Sequence, residues 1–122
     1  MCGYIGAFSF NKIDNKNLFD CNKSIICRGP DSLKSVEGID YNLNYSFIFN
    51  RLSILDLSEN ANQPMVSESG NEVLMFNGEI YNNNELRNAL VSKGAKFKTS
   101  HSDTEVILNG LMLEGIEYLQ KL

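Results

Sequence analysis

The sequence predicts an α+β fold built on a largely antiparallel sheet. Three observations lead there. Residues 5–10 and 45–50 are aromatic and β-branched runs, the second with a strict two-residue period, which is the mark of a strand with one covered face. Residues 82–85 and 102–105 carry the Asn/Ser-x-x-Glu spacing that opens a helix. Finally, strands and helices follow one another without the regular strand–helix–strand rhythm of a doubly wound parallel sheet.

Taken in chain order, residues 5–10 form the first strand. Residues 16–26 place Leu18, Cys21, Ile25 and Ile26 at helical spacing, which predicts a helix. Arg28-Gly29-Pro30-Asp31 must end it, because proline removes a donor and restricts the residue before it. Residues 32–37 read as a short strand, and 45–50 as a strand running into Arg51. Residues 52–64 then form a long ordered loop, of the kind that often carries function in a compact domain. A further strand spans 72–76 and stops at Asn77-Gly78. Residues 84–93 make a helix with Asn82 and Glu85 as its capping box and Gly94 past its end. Residues 95–99 read as a short strand, and Ser102 to Glu105 opens a helix to about residue 113 that resumes over 116–122. The sequence stops at Leu122 in mid-helix, which reads as a truncation.

Composition narrows the function. The 122 residues are 43% hydrophobic and 21% charged, an ordinary balance for one globular domain. A net charge of −4 and a pI near 4.9 give no electrostatic footprint for nucleic acid or anionic lipid. No apolar run approaches the ~20 residues that span a bilayer, and the start lacks a signal-peptide pattern. The expectation is a cytoplasmic protein without nucleic-acid or membrane partners. Cys2, Cys21 and Cys27 show no metal-type spacing, so no metal site is expected, and the cytosol would keep them reduced. Cys21 and Cys27 read as small buried packing residues. His101, the only histidine, could in principle partner a cysteine but reads as a solvated loop residue.

Cys2 stands apart because removal of Met1 would make it the first residue, with a thiol and a free α-amine on one carbon. A thiol titrates near about 8.5 and a terminal amine near about 7.8, so the amine can accept the thiol proton without a histidine. Such a thiolate suits attack on a carboxamide. The reaction also needs donors aimed at the developing oxyanion. Asn77 offers a side-chain N–H, and Gly78 allows close approach of backbone. Asn-Gly is equally a familiar hairpin turn. Arg51, Glu79 and Asp103 lie near element ends, where a guanidinium could hold a carboxylate and carboxylates an ammonium, or where each could simply be a surface charge. Arg28 and Asp31 read as a local ion pair bracing the Gly-Pro loop.

Together these pieces resemble one family. Met1-Cys2-Gly3, Arg28 to Asp31, Arg51-Leu52-Ser53-Ile54, Gln63-Pro64, Asn77 to Asn82 and Ser102 to Glu105 occur in family order along nearly the whole chain. The chain is similar to the glutaminase domain of class II glutamine amidotransferases, in the asparagine synthase branch. The resemblance implies an N-terminal nucleophile hydrolase fold, an αββα sandwich with two antiparallel sheets between helical layers, incomplete here at its C-terminus. That incompleteness implies an uncovered apolar surface and poor stability. Cys27 stands where the pattern usually has His, a position read as structural.

The resemblance also assigns roles. Cys2 is the nucleophile with its α-amine as general base, and Asn77 and Gly78 form the oxyanion hole. Arg51 clamps the α-carboxylate of L-glutamine, Glu79 and Asp103 hold its α-ammonium, and Ile54 and Leu55 line the pocket through backbone. The products would be glutamate and ammonia, the ammonia passing to a synthetase domain or subunit whose acceptor, aspartate in asparagine synthesis, is activated by ATP and Mg. No nucleotide-binding motif lies in these residues, so ATP and Mg belong to that absent portion and no cofactor is expected here. Relatives that amidate a surface-polysaccharide sugar or another carboxylate, a truncated non-catalytic module, and a homodimer all stay open.

Overall fold

The computed structural model describes residues 2–53 and 57–122. The chain divides into two compact units, one of residues 1–53 and 62–64, the other of residues 54–61 and 65–122. Both mix helix and antiparallel strand, as an α+β class requires.

The first unit is a three-stranded antiparallel sheet in the order β1-β3-β2, with β1 Gly3–Ser9, β2 Ser32–Asp40 and β3 Leu43–Arg51. Alternation decides what each face carries. Tyr4, opposite Phe49, and Phe8, opposite Tyr45, share one face with Phe47. The rings stack or meet edge to face, Tyr4 on Phe49 at 6.1 Å and Phe8 on Phe47 at 5.4 Å. Cross-strand aromatic pairs of this kind are what stabilise a sheet side to side. β2 runs longer than the sequence implies because it continues into a tight hairpin. Tyr41 and Asn42 both adopt positive φ, 44° and 68°, the two-residue turn whose twist matches the strands it joins.

Helix α1, Asn15–Asn22, packs against β1 and β3. The Asp14 side chain caps its start by accepting the Asn17 N–H at 3.2 Å. It ends four residues before the apolar spacing predicts. The N–H groups of Lys23, Ser24 and Ile25 all reach back three residues, and a separate 3₁₀ turn follows at Ile26–Arg28. The apolar pattern of Ile25 and Ile26 is therefore carried by a different kind of turn. Cys21 and Cys27 are exposed rather than buried, which corrects their reading as packing residues: their segment tightens onto the sheet through Asn22 instead. Gly29 lies flat on β3, where a Cβ would fall 2.1 Å from the Asn50 carbonyl oxygen, so only glycine fits.

The second unit holds a minimal hairpin, β4 Met65–Val66 with β5 Val73–Leu74, and two helices, α2 Asn83–Ser92 and α3 Asp103–Glu114. β5 is shorter than the predicted strand, and β4 was not anticipated. The hairpin turn is closed by the Glu72 carboxylate, which accepts the hydroxyls of Ser67 and Ser69 and is held below the usual glutamate range by them. Leu90, Val106 and Tyr118 form the core of this unit, with Leu86, Ala95 and Phe97 against them.

Two helix starts differ from expectation. Asn82 makes no side-chain cap; its amide donates to the Lys121 carbonyl at 2.8 Å. Ser102 does cap α3, accepting from the Glu105 N–H at 3.4 Å. Glu105, however, turns away from Ser102. Its carboxylate accepts the backbone N–H groups of Lys98 and Thr99, at 2.7 and 2.9 Å, and the Thr99 hydroxyl. That is also why residues 95–99 are not a strand: donors that would build a ladder are spent on a buried carboxylate. After Gly115, at φ 72°, the chain resumes as a 3₁₀ turn, Ile116–Lys121. Among the described residues no helix is long and apolar enough to cross a membrane.

Candidate active site

Cys2 stands immediately before β1, half-buried, and its place is set by the end of β3. The Leu52 N–H donates to Cys2 Sγ at 3.3 Å, and the thiol faces the Leu52 carbonyl at 3.6 Å. On its other side Arg28 Nε donates to the Cys2 carbonyl at 3.0 Å. The Arg-Gly-Pro-Asp loop therefore grips the start of the chain. Asp31 closes the same frame, accepting the Ser53 N–H at 2.7 Å while its own N–H donates to the Arg51 carbonyl at 3.0 Å. This corrects the expected Arg28–Asp31 ion pair: the two side chains point to different backbone groups, Arg28 to the Cys2 carbonyl and Asp31 to the Ser53 N–H.

Arg51, the last residue of β3, is only 8% exposed, so it is no surface charge. Its guanidinium donates to Asn62 Oδ1 at 2.8 Å, an oxygen that also receives the Ser32 hydroxyl. The planar fork of a guanidinium suits a carboxylate. Asn62 was not foreseen; the long loop that carries it gave only its length as a signal. The expected pocket residues Ile54 and Leu55 lie outside the described residues.

In the second unit, Asn77, Gly78 and Glu79 follow β5 as an exposed irregular segment, and among the described residues no strand pairing flanks the Asn-Gly directly. This removes the hairpin-turn alternative. The tip of the Phe76 ring lies over Gly78, 2.6 Å from where a Cβ would sit, so a larger residue there would have to displace the ring. Asp103, the first residue of α3 and 7% exposed, ties this segment down: its Oδ2 accepts the Ile80 N–H at 2.8 Å. Its other oxygen takes no hydrogen bond from the described residues. Burial pushes the Asp103 carboxyl above the usual aspartate range, and the neighbouring Glu79 carboxylate pushes the same way, partly offset by the Ile80 N–H and Arg87. The charged form of Asp103 is thus held at a cost, chiefly of burial, that a bound cation would relieve.

His101 is exposed and bonded to Ser100, as a loop residue. Among the described residues no group of three or more His, Cys, Asp or Glu is arranged to hold a metal ion.

A family model described as a glutamine amidotransferase domain matches residues 1–122, and the chain belongs to that family. It is 42% identical over 113 residues to asparagine synthetase (glutamine-hydrolyzing) 1 of Bacillus subtilis (strain 168), a match covering 88% of this chain and 17% of the relative. With asparagine synthetase (glutamine-hydrolyzing) 2 of the same organism it shares 43% over 96 residues, 79% of this chain and 12% of the relative. With a probable asparagine synthetase (glutamine-hydrolyzing) of Dictyostelium discoideum it shares 37% over 126 residues, 100% of this chain and 22% of the relative. The chain spans less than a quarter of the length of these relatives.

Proposed function

We propose that the chain is a glutaminase domain of the N-terminal nucleophile hydrolase kind, with the αββα sandwich of that class, and that it hydrolyses L-glutamine through a thioester on Cys2. Once Met1 is removed, the α-amine of Cys2 takes the proton from Sγ and the sulfur attacks the glutamine carboxamide carbon. Asn77 and the Gly78 N–H stabilise the resulting oxyanion. The amine then returns its proton to the departing nitrogen, ammonia leaves, and water attacks the thioester to release glutamate. Arg51 takes the α-carboxylate, Glu79 and Asp103 the α-ammonium, and Ile54 and Leu55 line the pocket through backbone. The ammonia passes to an acceptor, aspartate, activated with ATP and Mg on a synthetase domain or subunit outside these residues. A reducing cytoplasm would keep Cys2, Cys21 and Cys27 as thiols.

The observation that carries this reading is the buried Asp103 carboxylate, tethered to the Ile80 N–H and raised further by Glu79, whose charge a ligand ammonium would neutralise. The test is direct. N-terminal mass measurement should show the mature protein beginning at Cys2, and a glutamine-mimicking electrophile should label that residue. Cys2→Ala should lose both labelling and turnover while still binding glutamine. A mature protein that retains Met1 and resists labelling would overturn the proposal.

A further inference from the structure

Two carboxamides are buried together where α1 meets β3. Asn22 is 2% exposed and Asn50 is fully buried. They form a reciprocal pair: Asn22 Nδ2 donates to Asn50 Oδ1 at 3.0 Å, and Asn50 Nδ2 donates to Asn22 Oδ1 at 2.6 Å. Asn50 Nδ2 also faces the Gly3 carbonyl at 3.5 Å. Buried polar side chains are costly unless matched, and an aliphatic pair of similar size would fill this space at no such cost. The amides therefore call for a reason beyond packing.

Their position supplies one. Asn50 pairs with Gly3 in the sheet register, and Gly3 is bonded to Cys2. Two residues beyond Asn50, the Leu52 N–H meets Cys2 Sγ. The strand end from residue 50 to 52 is thus the ruler against which the sulfur is set. The reciprocal pair would survive a simultaneous flip of both amides, but a flip would turn Asn50 Oδ1 toward the Gly3 carbonyl, oxygen against oxygen. Contact with Gly3 selects one orientation, and Asn22 locks it.

We propose that Asn22 and Asn50 are positioning residues for Cys2, fixing the first residues of β1 on β3 so that Sγ is held for attack. The inference rests on Cys2 being the nucleophile, and labelling of the unaltered protein tests that separately. For the pair itself, Asn22→Leu, Asn50→Leu and the double variant are compared in the full-length protein by thermal unfolding and glutaminase kinetics. Each single variant strands one buried amide, so both should lower Tm. The double variant removes both amides and should recover much of that Tm. If the pair positions Cys2, kcat of the double variant stays roughly ten- to a hundredfold down with KM within about twofold, as a small misplacement of a reacting atom produces. Alkylation of Cys2 should slow in parallel. Recovery of kcat together with Tm would show a role in packing alone and overturn the proposal. So would a double variant without a cooperative unfolding transition, since the pair would then serve the fold.

Discussion

Two side chains in the candidate site can be tested one at a time. In the proposed mechanism Asn77→Ala removes a single donor to the oxyanion, so kcat for glutamine hydrolysis should fall about a hundred- to a thousandfold with KM little changed. Steady-state kinetics would read this directly. Asp103 gives a pH signature. Burial raises its carboxyl above the usual range in the free protein, and an ammonium ligand needs the charged form. As pH falls through that raised value the group protonates, so kcat/KM should drop on an acid limb lying above the ordinary aspartate range. Asp103→Asn should erase the limb. The sign for folding is opposite to that of a salt-bridged carboxylate: the folded state binds this proton more tightly than the unfolded one, so the group's contribution is most favourable at acid pH and lost as pH rises.

At the scale of an element, the link between Thr99 and α3 rests on Glu105. Glu105→Ala leaves the N–H groups of Lys98 and Thr99 without their acceptor, and stability should fall by about 3 kcal/mol. Denaturant unfolding checks it. This element also shows how far the sequence could be read. Ser102 announced the start of α3, because a cap is a local contact between residues three apart. Where the Glu105 carboxylate went was not local in that sense, and the strand expected at 95–99 failed with it. The same limit explains Arg28 and Asp31: their motif was visible, but their partners, the Cys2 carbonyl and the Ser53 N–H, lie far away in sequence. The Tyr41-Asn42 hairpin was hidden because neither residue is the glycine that usually marks two positive φ angles. Arg51, Glu79 and Asp103 were legible as charges at element ends; only burial separated Arg51 and Asp103 from surface charges.

Across the molecule, order should be uneven. β3 is paired along both edges, from Gly3–Asn50 on one side to Asp40–Leu43 on the other, and its central residues Ile48 and Phe49 are fully buried. The β4–β5 hairpin has two residues per strand. Hydrogen exchange followed by mass spectrometry should find the slowest amides in β3 and fast exchange at 65–74, since local opening follows the density of buried contacts. Equal protection of both segments would contradict this ranking. Ile116, Leu119 and Leu122, at the end of the second unit, are exposed.

The tether between Asp103 and Ile80 has one more consequence. A carboxylate that moors a loop with one oxygen would, on meeting a cation with the other, make those two events a single thermodynamic transaction. In the proposed site, the arriving amino group would stiffen the stretch that bears Asn77 and Gly78, so recognition at one end of glutamine would ready the machinery for the other.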